Sequence, residues 1–145
     1  MYLIVYTSEL SKPDVDIDTA LKDIVEIAKV KNTKANITGL LFYHNSRFLQ
    51  FIEGSKDELE KLMLRISADS RHTNIVRIVD EPVCVRSFSG WAMDSFNLNS
   101  DDVLSVEELN AVRDVYKKNV NVISNVLAMF YKQMLAHNAL TPKGT

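Results

Sequence analysis

Apolar and polar positions along this chain repeat with two different periods, and the switches between them mark its elements. The opening run Tyr2-Leu3-Ile4-Val5-Tyr6-Thr7-Ser8 is apolar and β-prone, and reads as a buried strand. Pro13 and the aspartates at 14, 16 and 18 then form a loop and offer helix caps. Leu21, Ile24, Val25 and Ala28 follow at helical spacing; Lys29 and Lys31 stand near the C-terminal end, where the helix dipole favours cations, and Asn32 closes the helix as its C-cap. Two apolar runs within residues 37–54 flank the turn-like His44-Asn45-Ser46, the pattern of a β-hairpin. Ser55-Lys56-Asp57-Glu58 is a capping box, and the stripe Leu59, Leu62, Met63 and Ile66 continues it as a second helix. Beyond Arg71-His72, residues 74–93 contain two more extended segments divided near Glu81-Pro82, with Trp91 and Met93 sharing one face of the last strand.

The order βαββαββ suits an α+β, ferredoxin-like sandwich: one mixed sheet, two helices on one of its faces, and the first and third strands side by side at the centre. After residues 97–102 the period becomes helical again. Ser105 to Glu108 is another capping box, and helical spacing runs from Leu109 to about Leu135 with an interruption near Asn119 or Asn121, so two C-terminal helices are expected. The second is apolar over a wide arc: Val122, Ile123, Val126, Leu127, Met129, Phe130, Tyr131, Met134 and Leu135. A two-layer domain needs only one stripe, so this helix is expected to cover the open sheet face and to contribute to a protein interface. The division expected is a sheet unit over 1–98, a helical extension over 99–138, and a frayed tail over 139–145.

Composition narrows the function classes. With 145 residues, 46% hydrophobic and 25% charged, the chain can bury a real core as one domain. Seventeen basic against nineteen acidic residues provide no broad cationic field for nucleic acid or an anionic membrane. No long apolar span or basic leader occurs, so a cytoplasmic location and no membrane association are expected. Cys84 is the single cysteine, which excludes an intrachain disulfide and a thiolate cluster; it is expected to be a small core residue. His44, His72 and His137 lack metal-ligand spacing, and no nucleophile elbow or phosphate loop accompanies them, so no metal site is expected.

A few polar residues sit at positions that the pattern assigns to the interior. Strand alternation places Gln50 between Phe48 and Ile52 on one face, with Leu49, Phe51 and Glu53 on the other. Burying an unpartnered amide costs roughly 1–3 kcal/mol, so Gln50 should find a partner. The same alternation groups Ile4, Tyr6 and Ser8, and adjacent central strands bring the Tyr6 hydroxyl within reach of Gln50. Such a pair either stiffens a core or, because an amide both donates and accepts, links the phenol to a ligand and changes that link by rotating. Arg65 and Asp69, at i and i+4, form either an exposed salt bridge or the polar rim of a ligand slot.

Tyr-Thr-Ser at 6–8, Lys-Asn at 31–32, Ile-Thr-Gly at 37–39, Phe-Leu-Gln-Phe-Ile-Glu-Gly at 48–54, Asp-Ser-Arg-His at 69–72 and Trp-Ala-Met at 91–93, in this order, resemble the BLUF family of blue-light photoreceptors. Length and pattern are similar to the short cyanobacterial type, with C-terminal helices and no fused enzyme. The resemblance implies that residues 1–98 bind FAD, or else FMN or riboflavin, non-covalently between the two helices, with the ring flanked by Ile24 and Ile66. It further implies that Asn32 meets the pyrimidine end of the ring, and that Gln50 bridges Tyr6 to the flavin. Arg65 and Asp69 would contact polar parts of the cofactor, Lys31 and Arg71 its ribityl or phosphate portion, and Ser8 belongs to the same binding set. Position 31 departs from the asparagine or histidine of some relatives. Blue light would drive electron and proton transfer from Tyr6 and leave Gln50 rotated or tautomerised in a red-shifted state, relayed by Trp91 and Met93 to a homo-oligomer interface or a separate downstream protein. No enzyme activity is implied.

Two other ferredoxin-fold classes compete. A flavin-free interaction or RNA-binding module would use Arg-Phe-Leu-Gln-Phe at 47–51 for stacking, but the glycines of an RNA-recognition strand are missing and the net charge is −2. An acylphosphatase-like enzyme would need an arginine and a glycine-rich cradle in the loop after Tyr6, and neither is there.

Overall fold

The fold is given by a computed structural model that describes residues 1–12, 14–119 and 125–140. Its elements are β1 (Tyr2–Leu10), α1 (Ile17–Ala35), β2 (Thr38–His44), β3 (Arg47–Gly54), α2 (Lys56–Ser67), β4 (His72–Pro82), β5 (Asp94–Asn97), α3 (Val106–Lys118) and α4 (Asn125–Leu140). The sheet runs β4-β1-β3-β2-β5. All pairings are antiparallel except the parallel β2–β5 edge, so the mixed sheet has β1 and β3 adjacent at its centre, as the topology predicts.

Local chemistry accounts for the boundaries. Asp16 caps α1, accepting from the Asp18 N–H and the Thr19 hydroxyl. The β2–β3 turn places Asn45 and Ser46 at φ 47° and 65°, the double left-handed turn whose twist matches the strands it joins. Ser105 and Glu108 form a reciprocal capping box on α3. At Ser55 only half the box forms: its side chain accepts from the Glu58 N–H, while the Glu58 carboxylate pairs with Lys61 at 3.5 Å. Gly39 is required by close approach, because a Cβ there would lie 2.0 Å from the Phe51 carbonyl oxygen of the neighbouring strand.

The sheet separates two cores. Ile4, Leu41, Ile52, Leu59 and Met63 lie under α1 and α2. Val5, Phe42, Phe51, Phe88, Val112 and Phe130 form the core under α3 and α4. Phe42 stacks on Phe96 at 5.3 Å and meets Phe51 edge-on at 5.9 Å. Leu127, Phe130 and Met134 are fully buried, so α4 does cover the open sheet face, while Leu135 is left exposed. Asn138 clips α4 in place by bonding both the N–H and the carbonyl of Leu104. Val122, Ile123 and the terminal 141–145 lie outside the described residues; α4 itself continues through Leu140. Among the described residues no helix is long and apolar enough to cross a membrane.

Four expectations are corrected. The last strand is only Asp94–Asn97, so Trp91 and Met93 precede it in a loop. A turn from Phe88 to Trp91, closed by a 3.1 Å hydrogen bond, breaks the alternation assumed for 83–93, and the two side chains face opposite ways: Met93 enters the core beneath α1 and α2, Trp91 packs on the other. Helix α1 runs past Asn32 to Ala35, and the left-handed C-cap is Asn36 at φ 57°. Arg65 and Asp69 form no i,i+4 pair on one helix, because α2 ends at Ser67 and Asp69 instead turns to Arg71 at 2.6 Å. Cys84 is exposed, in the loop after β4 rather than in the core.

Candidate functional site

Between α1 and α2 the first core is incomplete. A slot of about 540 Å³, its open mouth included, has Tyr6, Leu41, Phe48 and Gln50 of the sheet as its floor, and Ile24 and Ile66 on opposite walls. This is the size and mainly apolar character of a ring-sized ligand site.

The polar groups on the floor form a short chain. Tyr6 and Gln50 are directly paired across β1 and β3, and the phenol donates to Gln50 Oε1 at 2.5 Å. Among the described residues Gln50 Nε2 has only the Met93 thioether, at 3.5 Å, a weak acceptor for a buried amide donor. Burial pushes the Tyr6 phenol well above its ordinary pKa, and the Asp69 carboxylate adds to the effect, so the hydroxyl is held protonated as a donor.

Asn32 faces the slot from the last full turn of α1. Its Nδ2 donates to the Ala92 carbonyl at 2.9 Å; its Oδ1 is buried and receives no donor from the described residues. A buried amide oxygen without a partner is rare in native proteins. At the rim, Arg71 grips Asp69 through both Nε and Nη2, and that hydrogen bonding holds the Asp69 carboxyl below the usual carboxylate range. Lys31 and Arg65 line the outer mouth, which continues to Lys34.

The structure thus brings together Tyr6, Ile24, Lys31, Asn32, Gln50, Arg65, Ile66, Asp69 and Arg71 around one slot. Ser8 is not among its lining residues; its hydroxyl bonds His72 Nδ1 at 2.8 Å. The Ile66 carbonyl, 2.7 Å from Nε2, can only accept, so Nε2 carries a proton. His72 itself lines the slot beside Tyr6 and Phe48, as do Ala28 and Leu62, and sequence reasoning singled out none of these as a site residue. For Phe48 the signal was available, since it shares a face with Gln50; His72 had none beyond its place after Asp-Ser-Arg.

The RNA-binding alternative fails on packing. The sheet face on which bases would stack holds Phe42 and Phe51 with no exposure, sealed beneath α3 and α4.

Comparisons with known proteins identify the family. Residues 1–94 match the family described as "BLUF: Sensors of blue-light using FAD". A photoactivated adenylate cyclase subunit beta of Euglena gracilis is 28% identical over 97 residues, which are 67% of this chain and 11% of that protein. The blue light- and temperature-regulated antirepressor BluF of Escherichia coli is 32% identical over 87 residues, 58% of this chain and 22% of that protein. The chain therefore spans about a tenth to a fifth of the length of these curated relatives. The dark-state structure of BlrB, a BLUF protein, superposes with a TM-score of 0.67 at 25% identity and covers 96% of both chains. With its motifs in order, its slot built and its length matched by the family over residues 1–94, the chain belongs to the BLUF family of flavin-binding blue-light sensors.

Proposed function

We propose that this chain is a light-switched interaction module in which FAD lies in the slot between α1 and α2 and Tyr6 with Gln50 performs the switching. The observation that carries the reading is the polar floor: a phenol hydrogen-bonded to an amide whose own donor has only a thioether, with an acceptor left over at Asn32. The pyrimidine edge of a flavin offers a ring N–H between two carbonyl oxygens. Asn32 Oδ1 fits the N–H and Gln50 Nε2 fits a carbonyl, so the orphaned atoms are those the cofactor would satisfy. Ile24 and Ile66 suit the two faces of the ring. Lys31, Arg65 and Arg71, with Lys34 beyond them, favour a phosphorylated flavin, FAD or FMN, over riboflavin; the family description favours FAD.

When bound, the flavin supplies blue-light absorption and an excited state that accepts an electron. Tyr6 would be the electron donor to it, and its phenolic proton would move to Gln50 Oε1, the acceptor of the hydroxyl among the described residues. On return of both to Tyr6, Gln50 would be left turned or tautomerised, with its donor and acceptor on exchanged sides. Water is kept from this step by Phe48, Leu41 and Met93, which lets a rearranged hydrogen bond persist. Met93 and the loop it belongs to carry the change to β5, and Trp91 carries it to the opposite core.

Residues 1–98 are assigned to flavin binding and 99–138 to a helical output region, acting through a second copy or a separate cytoplasmic protein rather than through catalysis by this chain. The E. coli antirepressor and the Euglena cyclase subunit bear names that join such a sensor to an output. Purified holo-protein should show flavin absorption that shifts reversibly to the red under blue light; folded, flavin-loaded protein without that shift would refute the reading.

A further inference from the structure

Glu53 is the penultimate residue of the strand that carries Gln50, lies on its opposite face, and is only 1% exposed. Both oxygens of its carboxylate accept backbone N–H groups, Oε2 that of Ser87 at 2.6 Å and Oε1 that of Phe88 at 2.7 Å, and Oε1 also takes a long bond from the Thr38 hydroxyl at 3.5 Å. Beside it, Arg86 donates to the Thr38 hydroxyl at 2.8 Å, to the Glu53 carbonyl at 3.2 Å, and to the Asn36 carbonyl at 2.5 Å. Residues 86–88 are thereby fastened to β3, to the start of β2 and to the cap of α1.

The same loop is fastened a second time a few residues on. Gly39 N–H bonds the Trp91 carbonyl at 2.9 Å, and Asn32 Nδ2 bonds the Ala92 carbonyl at 2.9 Å. Only Ser89 and Gly90 separate the two fastenings, and immediately after the second comes Met93, fully buried with its sulfur against Gln50 Nε2. The first fastening touches neither the slot nor the Tyr6–Gln50 pair, yet it limits how far the Met93 segment can yield when the amide turns.

We propose that Glu53 is a positioning residue of the photocycle, whose carboxylate anchors the loop that holds Met93 against Gln50 and so governs how readily the Gln50 amide rotates. This rests on the reading of Gln50 as the switch. A carboxylate presents two acceptors to two backbone N–H groups. A glutamine presents one acceptor and a donor, and the donor faces an N–H that then has no partner. The shape is kept while the anchor is released, and a released loop gives a rotating amide more room.

The test uses the flavin-loaded full chain and follows decay of the red-shifted state in the dark. Glu53→Gln is expected to load flavin and form the red-shifted state, and to return to the dark state faster, on the order of tenfold. In a Met93→Ala background, Glu53→Gln should add almost nothing further, since the anchor acts through Met93. A merely stabilising role would lower the melting temperature and leave the two variants additive in rate. Unchanged decay in Glu53→Gln, or additive acceleration with Met93→Ala, overturns the proposal. If Glu53→Gln fails to fold, Glu53→Asp, one methylene too short to keep both N–H groups, carries the same expectation. A wild-type protein without a red shift would instead sink the Tyr6–Gln50 reading, so the two failures are distinct.

Discussion

The two faces of the sheet are built from the same strands and have opposite characters. Beneath α3 and α4 the core is close-packed aromatic and aliphatic matter, with Phe42, Phe51, Phe88 and Phe130 fully buried. Beneath α1 and α2, alternate residues of those strands bring a phenol and a primary amide into the interior, α1 adds the amide oxygen of Asn32, and the packing leaves a slot. Close packing resists displacement, and a half-satisfied polar floor invites a ligand and a rearrangement. The difference teaches where to look for function in a two-faced sheet: on the face whose burial is incomplete in both volume and hydrogen bonding.

The sharpest way to break the comparison is at Tyr6 and Gln50. Tyr6→Phe and Gln50→Leu should each abolish the light-induced red shift while the chain stays folded and coloured, which absorption spectra before and after illumination will show; a normal photocycle in either removes the assigned roles. On the other face the effect should be on stability. Phe130→Ala should cost about 3–5 kcal/mol in urea unfolding, with the flavin spectrum of the folded fraction unchanged; a spectral shift of the dark state would mean that the two faces are not separable. Asn32→Ala lies between these cases, removing the orphaned acceptor and the bond to Ala92 together. It should weaken flavin binding by roughly tenfold in a fluorescence titration of apo-protein, about 1.4 kcal/mol.

The smallest effect tests the packed face with protons. His44 is buried against Phe130, its Nδ1 has no partner, and burial together with His137 pushes its pKa below the ordinary value. The folded state therefore prefers neutral His44, so its contribution is full above the ordinary histidine pKa of about 6.5 and is lost as pH falls from there toward the depressed folded value. Thermal melts should fall less between pH 8 and pH 5.5 in His44→Leu than in the unmutated chain. An equal fall in both would show that His44 is not titrating as a buried group.

Much of this was legible in the residues. Alternation along 2–8 and 48–54 put Tyr6 and Gln50 on one face, and the βαββαββ order put their strands together; the register that pairs them directly is a property of the assembled sheet. The span of the last strand was not legible, because Val83 to Met93 alternates well enough to pass for a strand while the turn at Phe88–Trp91 is set by tertiary hydrogen bonds to Glu53, Gly39 and Asn32. Asn32 read as a cap because asparagine suits helix ends, and the residue four places on, Asn36, suits them equally. His72 stayed hidden because its partners, Ser8 and the Ile66 carbonyl, are distant in sequence or belong to the backbone.

Between Trp91 and Met93 the backbone advances by two residues and its bulky side chains change sides, Met93 buried in one core and Trp91, half-buried, packed against the other. The sheet would otherwise be a wall between the flavin slot and the C-terminal helices, with any message obliged to travel around it. Here the chain crosses from one face to the other at the margin of that wall, so in the proposed photocycle displacement on the slot side and displacement on the helical side are two readings of one motion.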